Sequence, residues 1–289
     1  MNQPNNMKSG EKGAWISIFA YLFLAGTKLV IASIGDSDAL WADGLNNTTD
    51  VAASIAILIG LKISQKPPDQ NHRYGHYRAE TIASLLAAFI MVAVGLQVIF
   101  STIGKMFEDH IVKPDMLTAW TAIGAAIVMF FVYRYNLTLS RKINSSALYA
   151  AAQDNRSDAL VSIGAFIGII GAQFGIFWLD PLAGLIVGII ICKTAWEIFK
   201  DSTLTLTDGF DEKRLKVIKD EITNFPDVMK VEDIKGRALG NQSVLDVTIK
   251  VDPNLTVRQG HDITVKIEEE LAKKHGILYT HIHIEPYRE

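Results

Sequence analysis

The chain has 289 residues, 49% of them apolar and 20% charged, with a net charge of −3 at neutral pH. Its mean hydropathy of +0.21 is too high for one soluble domain, while the charged fraction is too high for a chain immersed in lipid throughout. The single cysteine, Cys192, excludes a disulfide framework and a thiolate metal cluster, and the slightly acidic balance offers no basic footprint for nucleic acid.

In chain order, residues 1–13 read as a polar N-terminal tail. Six apolar runs follow, at 14–34, 39–63, 79–106, 117–135, 148–175 and 178–199. Each is long enough to cross a bilayer as a helix, which takes about 20 residues. The first is too long for a signal-peptide core and lacks a small-residue cleavage pattern, so nothing points to its removal. The links at 35–38 and 175–177 carry no bases and 108–115 is net acidic, whereas the other links carry Lys62, Lys66, Arg73 and Arg78, then Arg134, Arg141 and Lys142, then Lys193 and Lys200. By the positive-inside rule the basic set is cytoplasmic, and both termini with it.

From Asp208 onward the chain is dense in charge and reads as a separate cytoplasmic domain. Residues 212–224 have helical periodicity and end before Pro226. Residues 228–239 and 244–251 alternate as strands around a Gly240-Asn241 turn. Residues 257–275 form a second amphipathic helix closed by Gly276, and 278–285 alternate again. The order αββαβ predicts a small antiparallel or mixed sheet with two helices on one face. The expected division is therefore a tail at 1–13, a six-helix membrane domain at 14–207 and a cytoplasmic α+β domain at 208–289.

The most informative residues lie inside the apolar runs. Asp154 and Asp158 stand four apart in one, and Asn46 and Asp50 four apart in another, so each pair shares a helical face. An acid in hydrocarbon costs at least about 2.5–3.5 kcal/mol and marks function by default. Three carboxylates and an amide form an all-oxygen shell, which suits Mn2+, Mg2+ or Ca2+ better than an imidazole-loving ion. The competing reading is polar residues that cap or bridge helices. Lys28, inside the first run, either snorkels to the interface or neutralises these acids.

Two further groups have ligand spacing. Asp69, His72 and His76 lie in a loop that also contains Pro67, Pro68 and Gly75, so a metal site and plain turn-forming both fit. His281, His283 and Glu285 alternate on the last strand and share a face; Asp246 and His261 are placed to join them in a metal-sensing site. The alternative there is an edge strand kept soluble by polar side chains. Glu80 is expected to pair with Arg78 or Arg73. The glycines of the apolar runs, among them Gly95, Gly104, Gly124, Gly184 and Gly188, read as close helix packing.

Ala42 to Asp50, the loop Pro67 to His76 with Arg78-Ala79-Glu80, Asp154-Asn155-Arg156-Ser157-Asp158 and the terminal His281 to Pro286 together resemble the cation diffusion facilitator family. The resemblance implies a homodimeric exporter of divalent metals in the inner (plasma) membrane, with six transmembrane helices and a ferredoxin-like cytoplasmic domain. It also implies alternating access driven by protons. It maps the transport site onto Asn46, Asp50, Asp154 and Asp158, a second site onto Asp69, His72 and His76, and part of a third onto His261, His283 and Glu285. Glu232 and Thr248 stand where a zinc-type member carries His, and Arg78 and Asp208 fall where the family places an inter-subunit charge pair. Zinc transporters of the family typically carry His at Asn46 or Asp154; the combination found in this chain resembles the manganese-exporting branch.

The expected function is export of Mn2+ from the cytoplasm in exchange for protons, with no catalytic cofactor and no enzymatic activity. Zn2+, Fe2+, Co2+ and Cd2+ are the alternative cargoes. A membrane-bound metal sensor that moves nothing is the alternative class.

Overall fold

A computed structural model describes residues 3–35, 38–105, 116–176 and 178–288; the acidic link at 108–115 lies outside them. The chain divides into two compact units, Met1–Ser202 and Thr203–Glu289.

The first unit is built on six long helices: α1 (Gln3–Gly35), α2 (Asp38–Ser64), α3 (Arg78–Lys105), α4 (Met116–Ile143), α5 (Ser146–Gln173) and α6 (Leu179–Leu206). Lipid offers no partner to a peptide group, so an apolar run of this length satisfies its backbone only as a helix. Among the described residues, four segments have the length and composition of a membrane span: Gly10–Ile31, Arg78–Gly104, Met116–Ile143 and Pro181–Leu206. The other two helices, α2 and α5, are as long but are interrupted by Asn46, Asn47 and Asp50 and by the polar stretch 153–158.

The helices outrun the apolar segments. The expected N-terminal tail is helical from Gln3, and α4 continues to Ile143, carrying Arg134, Arg141 and Lys142 on a helix instead of in a link. Extending a formed helix costs little per residue, and packing supports the extension. A Cβ on Gly13 would fall 2.6 Å from Asn136 Oδ1, so α1 lies directly against α4 there. The chain turns from α4 to α5 at Asn144, with φ 53°, and Ser145 Oγ accepts from Leu148 N at 3.1 Å as a cap. Buried Glu80 also accepts from the Ser145 hydroxyl and from the Ser146 and Ala147 amides. It thereby places a carboxylate at the positive end of α5, a role the sequence reading did not include.

This unit is apolar outside and buries polar side chains among the apolar ones of its core. Phe19, Phe23, Phe100 and Phe131 are 63–68% exposed, while Ser17, Lys28, Asn136 and Asn155 are at most 1% exposed. An apolar exterior of this extent needs lipid around it. The protein is a membrane protein. Close approach of α3 and α6 explains some of its glycines: a Cβ on Gly95 would meet Cys192 Sγ at 2.6 Å, and one on Gly188 would meet Ile99 at 2.6 Å. Gly104 and Gly124, expected to serve packing too, would place a Cβ with nothing within 4 Å among the described residues.

The second unit runs α7 (Glu212–Thr223), β1 (Lys230–Leu239), β2 (Gln242–Val251), α8 (Val257–His275) and β3 (Tyr279–Pro286). Asp211 caps α7 by accepting from the amides of Lys213 and Arg214 at 2.8 and 3.0 Å. Thr256 and Gln259 form a capping box on α8, and Gly276, at φ 62°, closes it. The sheet order is β1-β2-β3. β1 pairs antiparallel with β2 through a two-residue turn led by Gly240, at φ 58°. β3 pairs parallel with β2, so α8 is the crossover. Ile218 and Ile222 of α7 and Ile263, Ile267 and Leu271 of α8 cluster with Leu245, Val247 and Ile249, leaving the opposite face of the sheet polar.

Candidate metal site

The sequence singles out α2 and α5, and the structure brings their acids together. Ligand oxygens of Asp50, Asp154 and Asp158 lie within 4.8 Å of one another. The three residues are 1%, 8% and 6% exposed. Asn46 stands beside them, its Nδ2 3.4 Å from Asp50 Oδ2; a carboxamide rotated by half a turn presents its oxygen in the same place. Of the predicted set, the three acids are thus adjacent and Asn46 adjoins Asp50.

A buried anionic group needs hydrogen-bond donors, and the surroundings supply them to one oxygen of each acid. Asn47 Nδ2 also donates to Asp50 Oδ2, at 3.2 Å. Tyr21, fully buried on α1, sets its hydroxyl against both α5 acids, its single hydrogen shared between Asp158 Oδ2, the nearer, and Asp154 Oδ2 at 3.1 Å. Behind it, Asn155 Nδ2 donates to the phenol oxygen at 3.0 Å. Lys28, 1% exposed, is buried in the same unit. Of its two readings, snorkelling is the one the structure removes.

Asn47, Tyr21, Asn155, Asn136 and Ser17 were not singled out from the sequence. A signal existed for α1: Ser17, Tyr21 and Lys28 fall at i, i+4 and i+11, on one helical face within an apolar run. A buried tyrosine hydroxyl needs a partner, so that stripe could have pointed toward the acids.

The loop group is also assembled. Ligand atoms of Asp69, His72 and His76 lie within 4.8 Å of one another. Asp69 Oδ1 accepts from the backbone N–H groups of His72 and Asn71 at 2.7 and 2.9 Å, and Gly75, at φ 83°, turns the chain so that His76 Nε2 comes 3.4 Å from Asp69 Oδ2. The His72 amide, foremost, holds the Asp69 carboxyl below the ordinary carboxylate range. Turn-forming and ligand-like geometry coexist here.

The C-terminal set is not brought together within one chain. Among the described residues, no group of three metal-ligating side chains forms in this unit. Asp246 and His281 are register partners, with Oδ1 and Nδ1 4.0 Å apart, and His283 Nε2 lies 3.8 Å from Glu285 Oε1. His261 is exposed on α8, whose buried residues pack with Ile282 and Ile284. Side chains alternate along a strand, so α8 covers the side of β3 away from His281 and His283. Glu232 is taken up by Lys230 and Lys250 at 2.8 and 2.9 Å, which hold its carboxyl down to about 2. Arg78 begins α3 and Asp208 sits at φ 61°, in separate units.

Buried acids converging between helices, in a unit with an apolar exterior, define a membrane protein with a side-chain group that could hold a cation. Residues 14–207 match the cation efflux transmembrane domain and residues 210–287 the cytoplasmic domain of cation efflux proteins. The chain belongs to this family, the cation diffusion facilitators. It is 52% identical over 289 residues to the manganese efflux system protein MneS of Bacillus subtilis (strain 168), covering 100% of both chains. It is 50% identical over 287 residues to the uncharacterized transporter YdbO of the same organism, covering 99% of each. To a second manganese efflux system protein of that organism, MneP, it is 33% identical over 292 residues, covering 96% of this chain and 97% of MneP.

Proposed function

We propose that this protein exports Mn2+ from the cytoplasm in exchange for protons, with Asn46, Asp50, Asp154 and Asp158 as the transport site. The observation that carries the reading is the convergence of three buried carboxylates on one point between α2 and α5. Similarity to MneS and MneP, whose names state manganese efflux, supports the choice of ion. So does the donor set: carboxylate and carbonyl oxygens suit Mn2+, while zinc sites usually include His or Cys.

In this reading all six long helices span the membrane, α2 and α5 with their polar residues turned inward. The chain works as a homodimer in the plasma membrane, with both termini and a ferredoxin-like C-terminal domain in the cytoplasm. Metal enters from the cytoplasm, where three carboxylates offset its two charges. Ligands must be deprotonated to bind, so protons and metal compete for the same oxygens. Release outside leaves the acids free to take up protons, and the protonated site returns inward without bare buried charge. Asn46 takes no part in that exchange. Asp69, His72 and His76 form a second, solvent-facing ion site; the C-terminal face, incomplete in one chain, is given no ion of its own.

The test is uptake of Mn2+, Fe2+, Zn2+ and Cd2+ into proteoliposomes, with and without a pH gradient. Mn2+ flux that exceeds the others and responds to the gradient is the expected result. Dominant Zn2+ flux would overturn the oxygen-shell argument, and binding without flux would make the protein a sensor.

A further inference from the structure

Export as described so far gives α1 no part in the site, yet α1 supplies the side chain that touches both α5 acids. Tyr21 is 0% exposed, and its hydroxyl contacts Asp158 and Asp154 together. The phenol is held from behind by a chain of amides. Asn155 Nδ2 donates to its oxygen at 3.0 Å; Asn155 Oδ1 in turn accepts from Asn136 Nδ2 at 2.9 Å and from Ser17 Oγ at 3.0 Å. Asn136 Nδ2 also reaches Ser17 Oγ at 2.8 Å.

A phenol has one hydrogen and limited acceptor capacity. With Asn155 donating into the oxygen, the hydrogen is directed at the carboxylates and the oxygen is engaged on its other side. Tyr21 is therefore arranged as a donor to the acids and not as a ligand in its own right. Each ionised carboxylate has about four acceptor positions, so Asp154 and Asp158 can keep this donor and still face an ion.

We propose that Tyr21 is a positioning residue of the transport site, its hydroxyl bridging Asp154 and Asp158 so that both carboxylates are spaced and oriented for a divalent cation. Asn155, Asn136 and Ser17 act through it by fixing the direction of the hydroxyl hydrogen. The proposal rests on the reading of the buried acids as the transport site. Without the bridge, two like charges on one helical face spread apart, and the ion must pay their reassembly out of its own binding energy. Hydrogen-bond partners of metal ligands typically contribute about 10–100-fold to affinity.

The experiment is Mn2+ uptake by the full-length protein in proteoliposomes, measured across Mn2+ concentration for wild type, Tyr21→Phe, Asn155→Ala, the double variant and Asp158→Asn. Tyr21→Phe keeps the ring and removes only the donor. It is expected to raise the half-saturating Mn2+ concentration about 10-fold or more, with the maximal rate and the thermal unfolding midpoint close to wild type. Asn155→Ala shifts half-saturation in the same direction by a smaller factor, and the double variant adds little to Tyr21→Phe because both act through one hydroxyl. Unchanged half-saturation in Tyr21→Phe, or a loss confined to the maximal rate, overturns the positioning role while an inactive Asp158→Asn leaves the transport site standing. Full activity in Asp158→Asn overturns the transport-site reading, and the role of Tyr21 with it. If Tyr21→Phe does not assemble, the half-saturation of Asn155→Ala decides in the same way.

Discussion

Asp50, Asp154 and Asp158 are each less than a tenth exposed, whereas Asp69 and His72 keep side-chain exposures of 52% and 56%. Both groups bring three ligand-bearing side chains within 4.8 Å, so distance alone does not separate them. Cost does. An exposed carboxylate is solvated whether or not an ion arrives, and its local hydrogen bonds account for its position. A buried cluster of acids must be repaid by something that binds it. The same three-residue geometry is thus a weak statement at the surface and a strong one between α2 and α5. The donor sets differ as well: oxygen only in the buried group, oxygen and imidazole in the loop.

The largest expected effect is at the buried group. Asp50→Ala should abolish Mn2+ transport, a loss beyond the about 100-fold that marks the upper range for residues merely supporting a ligand, while the dimer persists by size-exclusion chromatography. Retained flux would erase the distinction between the two groups. Next comes the kind of donor. Asn46→His with Asp154→His should move the Mn2+-to-Zn2+ flux ratio toward Zn2+ by about tenfold, since imidazole favours the softer ion; an unchanged ratio would mean that the helix frame, not the ligand atoms, selects.

The loop should respond less. His72→Ala is expected to raise half-saturation for Mn2+ by no more than about threefold, because water replaces a solvated ligand at little cost. Its pH behaviour is separable too. The carboxyl of Asp69 is held low by the His72 amide, so its ordering of the loop is complete above its ordinary value of about 3.9 and is lost as pH falls below it. Hydrogen exchange at the His72 amide, followed from pH 7 downward, would show it; a loss of protection already near pH 5 would contradict the sign.

The smallest effect is on the C-terminal sheet. Glu232→Gln removes an exposed pairing with Lys230 and Lys250, and should shift the unfolding midpoint by no more than about 4 °C. The difference should be full above pH of about 4.3 and fade as pH falls toward about 2, the value to which the two lysines hold this carboxyl. A larger shift would mean that this face is buried against something.

Much of this was legible in the residues themselves. Four-residue spacing placed Asn46 with Asp50 and Asp154 with Asp158, because a helix repeats every 3.6 residues. Chain patterning marked α8 at Val257–His275 and the Gly240 turn, because caps, turn glycines and alternation are local effects. The loop Asp69–His76 was legible for the same reason: its ligands come from eight consecutive residues. Where the interaction was not local, reading stopped short. His261 lies 20 or more residues from its proposed partners on β3, and only packing shows that α8 covers the other side of the strand. Glu80, read as pairing with an arginine, also accepts from the first residues of α5.

The sequence by itself determined that polar side chains would be carried into apolar helices, and which chemistry they could offer, since composition and period are properties of a single segment. Tertiary structure decided who meets whom. It brought α2 and α5 together so that three carboxylates converge, set Tyr21 of α1 across two of them, and backed that phenol with Asn155, Ser17 and Asn136 of α4. Those of Ser17 and Tyr21 join residues more than a hundred positions apart, and Asn136 meets Asn155 across two helices. No local propensity encodes them; they follow from burial, which forces each polar group removed from water to find its partner among whatever helices pack beside it.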